Sequence, residues 1–330
     1  MTVGLAAPRA DFIFVTAPFE SCHASTIVEL RNHDLLAAWF GGSAEGKPDV
    51  AIWGSRLSNG AWSPPYELSR EQDIATYNPV LFYAKDNRLW LYYKFGPHPS
   101  QWTGARRWSA DDGVNWTPVE HLPAGLYGPI RAKPLVMPDG TIVSGTSVES
   151  YSSWACWIDR STDNGTTWQK FGPISVVPAK TDTPARTGSD GIIQPSVISL
   201  GPNRLRFYAR STARIGKICI ADSTDGGLSW TQARPIGLPN PNSGIDAVAL
   251  RDGRVVLVYN HTDRGRTPLN LAISSGGENF RMFHVLEDQP GEYSYPAMIQ
   301  AQNGDLLITY TWNRKRIRFV RFPLAEIPRE

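Results

Sequence analysis

The chain of 330 residues carries 33 Lys and Arg against 31 Asp and Glu, and it is rich in aromatic residues, with 12 each of Trp, Tyr and Phe. This near balance of charge argues against a nucleic acid or a membrane surface as the partner. Three cysteines without CxxC spacing argue against a disulfide framework and a zinc centre, and we expect neither a metal nor a cofactor. The first residues lack the basic and apolar regions of a signal peptide, and no apolar run approaches ~18 residues, so we expect a cytoplasmic protein.

Six apolar runs, each introduced by turn residues, follow one another at intervals of about fifty residues, the length of one four-stranded propeller blade. In chain order they are NHDLLAAWF (32–40), DNRLWLYYK (86–94), DGTIVSGTS (139–147), NRLRFYARS (203–211), DGRVVLVYN (252–260) and NGDLLITYT (303–311). No long helical periodicity competes with this pattern, and no polar linker interrupts it. The sequence therefore predicts an all-β, six-bladed β-propeller formed by a single domain over residues 1–330, with the two chain ends paired to close the ring.

A second repeat has the pattern S-x-D-x-G-x-x-W. It occurs in full at 109–116, 161–168 and 223–230, and in weaker form at 56–62 and 273–280. In such a turn Asp accepts hydrogen bonds from the loop backbone, Gly adopts a positive φ, and Trp packs the hairpin against its sheet. Three full copies indicate a recurring structural turn.

A strand precedes each apolar run, and in four units a proline marks it, as in YNPVLF and IIQPSV. The residues just before this slot are, in chain order, Ala24, Asn78, Lys133, Gln194, Asp246 and Tyr295. His23 and Tyr77 lie one residue further back in the first two units. Because the first strand of every blade lines the central channel, these side chains converge on one mouth and predict a polar ligand pocket.

The repeated S-x-D-x-G-x-x-W turn resembles the Asp-box of the sialidase superfamily, and the resemblance covers nearly the whole chain. It implies that these turns mark the fold and lie away from the mouth. Residue by residue, it implies Asp49 as the acid/base aspartate, Arg210 and Arg266 as two arginines of the triad that binds the substrate carboxylate, and Tyr293 in EYSYPAM as the nucleophile. Two positions depart from the family: His23 replaces the first arginine of the triad, and Gln194 replaces the glutamate that activates the nucleophile.

These departures bear on the reaction. A tyrosine nucleophile with a pKa of about 10 needs a carboxylate base, which Gln194 cannot supply. The same set of residues suits β-elimination at a uronic acid, in which Gln194, Arg210, Arg266 and Lys133 donate to the carboxylate while His23 and Tyr293 or Tyr295 exchange protons. In replacing the arginine by histidine, the chain is similar to propeller lyases that cleave rhamnose–glucuronate links. Tyr77, Asn78, Asp246, Tyr295 and Asn242 complete the predicted substrate-binding residues.

Three functions stay open. The replacements at His23 and Gln194 favour a glucuronate lyase, whereas Tyr293 and Asp49 favour an exo-acting hydrolase that diverged from sialidases. A non-catalytic glycan-binding propeller is the third, because folds outlast activities. In each case the expected partner is an acidic oligosaccharide or polysaccharide. We expect His23 to keep a pKa near 6.5, so that it gives and takes a proton at neutral pH, and we expect the basic run NRKRIRF (313–319) to form a solvated outer strand.

Overall fold

Residues 7–150, 153–177 and 190–329 are described by the computed structural model of the protein. These residues form six antiparallel sheets, each with its first strand next to the first strand of a neighbouring blade around the central channel. The predicted six-bladed propeller is therefore confirmed. Within the same ranges the helical structure is limited to two 3-10 turns, Pro99–Gln101 and Leu324–Glu326, and no helix has the length and apolarity that crossing a membrane requires.

The strands follow the chain blade by blade. Blade one contains β2 (Ser21–Glu29), β3 (Leu35–Gly42), β4 (Ala51–Ser58), β5 (Ala61–Trp62) and β6 (Tyr66–Ser69), and blade two contains β7 (Thr76–Tyr83), β8 (Leu89–Phe95), β9 (Thr103–Ser109) and β10 (Glu120–His121). Blade three contains β11 (Leu135–Val136), β12 (Ile142–Glu149), β13 (Trp154–Ser161) and β14 (Gln169–Ile174), and blade four contains β15 (Ile192–Gly201), β16 (Arg204–Ser211), β17 (Lys217–Ser223) and β18 (Arg234–Pro239). Blade five contains β19 (Asp246–Ala249), β20 (Val255–Tyr259), β21 (Leu269–Ser274) and β22 (Arg281–Glu287).

Blade six closes the ring with strands from both ends of the chain. It contains β23 (Tyr293–Gln300), β24 (Leu306–Trp312) and β25 (Arg316–Phe322), and its outermost strand is β1 (Arg9–Phe12). β1 pairs antiparallel with β25, with Arg9 opposite Arg321 and Phe12 opposite Arg318. This pairing confirms the predicted closure, and it places the inner strands of blades one and six side by side.

The turn between the first two strands of each blade explains the repeated turn residues of the sequence. One residue of each turn has a left-handed backbone: His33, Asn87, Gly140, Asn203, Gly253 and Gly304. Gly and Asn tolerate this conformation best, which is why NHD, DNR, DGT, NRL, DGR and NGD recur before the apolar runs. The runs themselves form second strands that are buried on both faces, such as β3 and β16.

The Asp-box turns join the third and fourth strands and lie at the end of the propeller opposite the mouth. In the copy at 109–116 the Ser109 hydroxyl donates to Asp111 (2.7 Å), the Asn115 backbone N–H donates to Asp111 (2.8 Å), and the Trp116 indole donates to the Gly113 carbonyl (3.1 Å). The hydrogen bonds from the backbone and side chain of Asn115, and then that from Ser109, lower the pKa of Asp111 to about 2. Arg31, in the turn after β2, donates to the carbonyl of Ala110, which ties the Asp-box to the side away from His23.

Candidate active site at the mouth of the propeller

The inner strands of four blades share a β-bulge at the predicted slot. In β2 the pairing shifts between His23 and Thr26, and equivalent shifts occur in β7, β15 and β23. The slot residue has a left-handed backbone in all four: Ala24 (φ 53°), Asn78 (44°), Gln194 (57°) and Tyr295 (51°). Each non-glycine residue in this conformation costs about 1–3 kcal/mol, and bulges re-aim side chains next to active sites. The bulges therefore fix the direction of polar side chains at the mouth.

Tyr295 lies at the centre of the polar cluster. Its ring centroid is 4.3 Å from that of His23. The guanidinium carbons of Arg131, Arg210 and Arg266 lie 5.5, 5.7 and 5.5 Å from the Tyr295 ring centroid. Tyr295 of blade six is thus surrounded by residues from four other parts of the chain: blade one, blade four, the segment before β11 and the loop before β21.

The hydroxyl oxygen of Tyr295 accepts two hydrogen bonds, from Arg210 Nη1 (2.7 Å) and from Gln194 Nε2 (3.4 Å). Burial by itself would raise the pKa of Tyr295. The charges of Arg210 and Arg266 and the Gln194 hydrogen bond outweigh burial and lower the pKa below its usual value of 10. The surroundings therefore stabilise the phenolate, which makes Tyr295 a stronger acid than an ordinary tyrosine.

Arg210, near the end of β16, is held only by neutral groups. Its Nε and Nη2 donate to Asn242 Oδ1 (3.0 and 2.8 Å), and its Nη1 donates to Gln194 Oε1 (3.2 Å) as well as to Tyr295. The residue is 6 % exposed, and no carboxylate of the described ranges lies within ion-pair distance of it. Because a buried cation is costly without an anion, this guanidinium is a candidate receptor for a ligand carboxylate.

His23 is buried against this cluster and is 2 % exposed. Its Nδ1 makes no hydrogen bond with any described residue. Burial, followed by the charges of Arg314, Arg266, Arg131 and Arg210, lowers the pKa of His23 well below 6.5. The expectation of an ordinary histidine pKa is therefore wrong, since four cations disfavour the imidazolium, and His23 is neutral at physiological pH.

Glu149, the last residue of β12, was missed by sequence reasoning. Side chains alternate along a strand, so Glu149 shares a face with Ser147, whose hydroxyl accepts a hydrogen bond from the Gln194 backbone N–H (3.2 Å). Glu149 interacts electrostatically with Arg210 and Tyr295. Burial raises the pKa of Glu149, and the charge of Arg210 only partly offsets this. The sequence could have indicated Glu149 by its position, because it ends the second strand of its blade. The second strand of every blade ends at the mouth, as β16 does near Arg210.

Lys133 and Asp246 were predicted to bind substrate, but the structure assigns them to contacts between blades. Lys133 Nζ lies 3.0 Å from Asp246 Oδ2. Asp246 also accepts hydrogen bonds from the Ser196 hydroxyl (2.6 Å) and the Met298 backbone N–H (2.8 Å). Both carboxylate oxygens are thus occupied by blades three, four and six. Arg131 has a similar place, since it is buried and donates to the carbonyls of Ile245 and Pro296.

Tyr77 and Asn78 lie on the blade-two side of the mouth. The Tyr77 ring packs against Trp102 (5.0 Å between centroids) and against Phe40 (5.7 Å), and Phe40 in turn contacts the His23 ring (5.7 Å). Asn78 is the bulge residue of β7 and is 4 % exposed. Tyr77 therefore borders the cluster through Phe40, which leaves its predicted contact with substrate as a prediction.

Tyr293 does not join the cluster. It is 2 % exposed and packs in the apolar core between blades five and six. Burial and then the charges of Glu287 and Asp288 raise the pKa of its hydroxyl, the opposite of what a nucleophile needs. The structure thus replaces Tyr293 by Tyr295 as the candidate reactive tyrosine, because the bulge at Tyr295 directs that side chain to the arginines.

Asp49 also lies apart from the cluster. Its Oδ2 accepts from the Ser43 backbone N–H (2.7 Å) and its Oδ1 from the Ser43 hydroxyl (2.9 Å). Burial slightly opposes ionisation, but these hydrogen bonds outweigh it and lower the pKa of Asp49. It borders a separate surface cleft of about 240 Å³ between Phe19, Trp53 and Arg70. Asp49 therefore stabilises the β3–β4 loop, and its low pKa does not suit a general acid.

Comparisons with known proteins agree with this architecture. The family model for the BNR repeat-like domain matches residues 33–308. A comparison with curated protein sequences found no significant match. A protein of unknown function from Dyadobacter fermentans superposes with a TM-score of 0.78 at 17% identity, covering 97% of this chain and 100% of that one.

Two sialidase structures are similar over most of this chain. The NanB sialidase of Streptococcus pneumoniae superposes with a TM-score of 0.78 at 13% identity, over 96% of this chain and 71% of that one. The sialidase of Trypanosoma rangeli superposes with a TM-score of 0.75 at 14% identity, over 98% of this chain and 60% of that one. At such identities the likeness concerns the fold. The chain belongs to the BNR repeat-like domain family and has the six-bladed propeller fold of the sialidase superfamily.

Proposed function

We propose that the protein cleaves a glycosidic bond at an acidic sugar by β-elimination, as a lyase acting on a rhamnose–glucuronate type of linkage. The family and the fold support a carbohydrate-active or glycan-binding protein. The observation that carries the finer proposal is the buried Arg210 guanidinium, which has no carboxylate partner among the described residues and donates to a tyrosine of lowered pKa. Such a pair binds an anionic group and stabilises negative charge beside it.

The substrate carboxylate is the first requirement of the reaction. Removal of the C5 proton of a uronate places negative charge on the carboxylate, so donors aimed at that group stabilise the enolate-like intermediate. Arg210, Gln194 and Arg266 surround Tyr295 and supply such donors.

Glu149 and Tyr295 have pKa values shifted in opposite directions, and both shifts favour proton transfer. The raised pKa of Glu149 makes its carboxylate a stronger base, and the lowered pKa of Tyr295 makes its phenol a stronger acid. Glu149 accepts the C5 proton, the electrons of the C5–H bond form the C4–C5 double bond, and the C4–O4 bond breaks. The departing oxygen takes the proton of Tyr295, and Arg210 and Gln194 stabilise the phenolate that forms.

His23 takes part as a neutral group. Its low pKa keeps the imidazole neutral, so it does not act as an imidazolium acid. Because Nδ1 is buried, the ring would bond to a sugar hydroxyl through Nε2. His23 therefore contacts substrate in the proposed reaction.

Hydrolysis is the second candidate, and the environment of Tyr295 favours it. A phenol with a lowered pKa between arginines also suits a nucleophile that forms a glycosyl–enzyme intermediate. Gln194 cannot accept the phenolic proton, so Glu149 would have to do so in that reaction.

One experiment separates the two reactions. The protein is incubated with an oligosaccharide ending in rhamnose–glucuronate and, in parallel, with a sialylated glycan, both in water enriched in oxygen-18. Elimination yields a product that absorbs ultraviolet light through its C4–C5 double bond and carries no label. Hydrolysis yields a product that lacks this absorbance and contains oxygen-18, an outcome that would overturn the lyase proposal. Absence of both products would leave glycan binding as the function.

A further inference from the structure

Arg314 lies at the mouth and not on the solvated outer strand expected from the basic run that contains it. It belongs to the hairpin between β24 and β25, where Asn313 and Arg314 both have a left-handed backbone (φ 51° and 53°). The Arg314 carbonyl accepts a hydrogen bond from the backbone N–H of Cys22 (2.8 Å), the residue before His23. The hairpin of blade six is thus anchored beside the first strand of blade one.

The Arg314 side chain shares a carboxylate with Arg266. Arg314 Nε donates to Glu292 Oε1 (3.0 Å) and Oε2 (3.2 Å), and Arg266 Nη1 donates to the same Oε1 (2.9 Å). Arg314 Nη1 also donates to Glu45 in the β3–β4 loop. One glutamate therefore holds two guanidinium groups side by side, although like charges repel each other.

Donor groups of this pair remain without partners in the described part of the chain. Arg314 Nη2, Arg266 Nε and Arg266 Nη2 make no hydrogen bond there, and the two side chains are 34 % and 21 % exposed. Arg266 lies over the Tyr295 ring, and Arg314 is near enough to His23 to influence its ionisation. The pair therefore lies beside the centre of the candidate site, next to the strand of blade one that carries His23.

We propose that Arg314 is a ligand-binding residue that, together with Arg266, receives the carboxylate of the acidic sugar. This inference rests on the proposed function and extends it. The third cation that the histidine at position 23 does not supply comes from the neighbouring blade, and Glu292 positions it. A ligand with a carboxylate at this point uses both arginines, whereas a neutral sugar uses neither.

The test is calorimetric binding of glucuronate, with glucose as the neutral probe, to the intact protein and to three variants. Arg314→Gln should weaken glucuronate binding about tenfold or more, the effect of losing a hydrogen bond to a charged group. Arg316→Gln is the matched control, because Arg316 is two residues away and its guanidinium carbon lies over the Phe12 ring (4.9 Å). Arg210→Gln reports on the proposed function separately. Melting temperatures establish that each variant is folded.

The outcomes separate the two ideas. Loss of affinity in Arg314→Gln, with glucose binding and Arg316→Gln unchanged, supports the inference. A second outcome is that Arg314→Gln binds glucuronate as tightly as the wild type while Arg210→Gln binds it more weakly. In that case Arg314 only connects neighbouring loops, and the inference is wrong while the proposed function stands. If the wild-type protein does not prefer glucuronate over glucose, the proposed function itself fails.

Discussion

The ring of His23 lies 4.3 Å from the ring of Tyr295, and the two residues come from the first strands of blades one and six, which become neighbours when the propeller closes. Burial, and then the surrounding arginines, lower the pKa of His23, whereas the arginines lower the pKa of Tyr295 against the effect of burial. The positive charges therefore help burial to keep the histidine neutral, and they make the tyrosine more acidic. An ordinary histidine and tyrosine could both give and take protons. Here the imidazole stays neutral, and the phenol is the group suited to give up a proton.

Substitution of either tyrosine by phenylalanine discriminates between Tyr295 and Tyr293. We expect Tyr295→Phe to lower turnover by ~10²-fold or more, the usual contribution of a general acid, because the departing oxygen loses its proton source. Tyr293→Phe is the matched control, since the charges that shift the pKa of its hydroxyl are those of Glu287 and Asp288 and not those of the arginines. Turnover per folded molecule and the melting temperature are measured for both. A normal rate in Tyr295→Phe together with a large loss in Tyr293→Phe would reverse the assignment.

The pH profile of turnover should have one limb from Glu149 and one from Tyr295. The base must be a carboxylate, so activity falls as the pH drops through the raised pKa of Glu149. The acid must be a phenol, so activity also falls as the pH rises through the pKa of Tyr295, which lies below 10. Glu149→Gln should lower the rate and remove the acidic limb.

Glu278→Gln provides the control for that profile, because Glu278, in the turn between β21 and β22, pairs with Arg234 on the outermost strand of blade four (2.7 Å). It should keep both limbs. An acidic limb that survives unchanged in Glu149→Gln would show that another group is the base.

The sequence predicts the fold because propeller signals are local and repeated. Turn residues, proline slots and Asp-boxes recur in step, and aligning them brings Gln194 and Tyr295 to one mouth before any coordinates are known. The resemblance to sialidases adds Arg210 to the same place. The choice between Tyr293 and Tyr295 is different. In a regular strand, residues two apart share a face, and only the bulge with its left-handed backbone at Tyr295 separates them.

Other site residues depend on long-range placement. The place of Arg314 depends on the β24–β25 hairpin lying next to the strand that carries His23. The place of Glu149 depends on the last residue of β12 lying at the mouth. Asp49 has the residue type of a catalytic acid, but Ser43 binds both of its oxygens within the same loop. The spacing of the motifs therefore predicts neither that Arg314 and Glu149 belong to the candidate site nor that Asp49 lies outside it.

The Asp-box turns should affect stability and leave chemistry intact. Asp225 accepts from the Ser229 backbone N–H (2.9 Å) and from Leu228 (3.1 Å), and side-chain and backbone bonds from Ser229 lower its pKa to about 2. Asp225→Ala should lower the melting temperature by a few degrees while turnover per folded molecule stays unchanged, because the turn lies opposite the mouth. A loss of turnover at unchanged stability would place this turn in contact with the active site.

The last prediction concerns His23, for which packing and contact with substrate lead to different results in His23→Phe. Phenylalanine keeps a ring against Tyr295 and Phe40 but lacks the buried Nδ1, which has no partner among the described residues. The variant should be at least as stable as the wild type, because no unsatisfied polar atom remains.

Since the folded pKa of His23 lies below its unfolded value of about 6.5, the unfolded chain binds more protons at lower pH, and this histidine costs stability as the pH falls below about 6.5. His23→Phe should therefore lose less stability between neutral and mildly acidic pH. Its turnover should nevertheless fall by about tenfold, the effect of losing one hydrogen bond to the reacting sugar. A variant that is stable and fully active would show that His23 is only part of the packing around Tyr295.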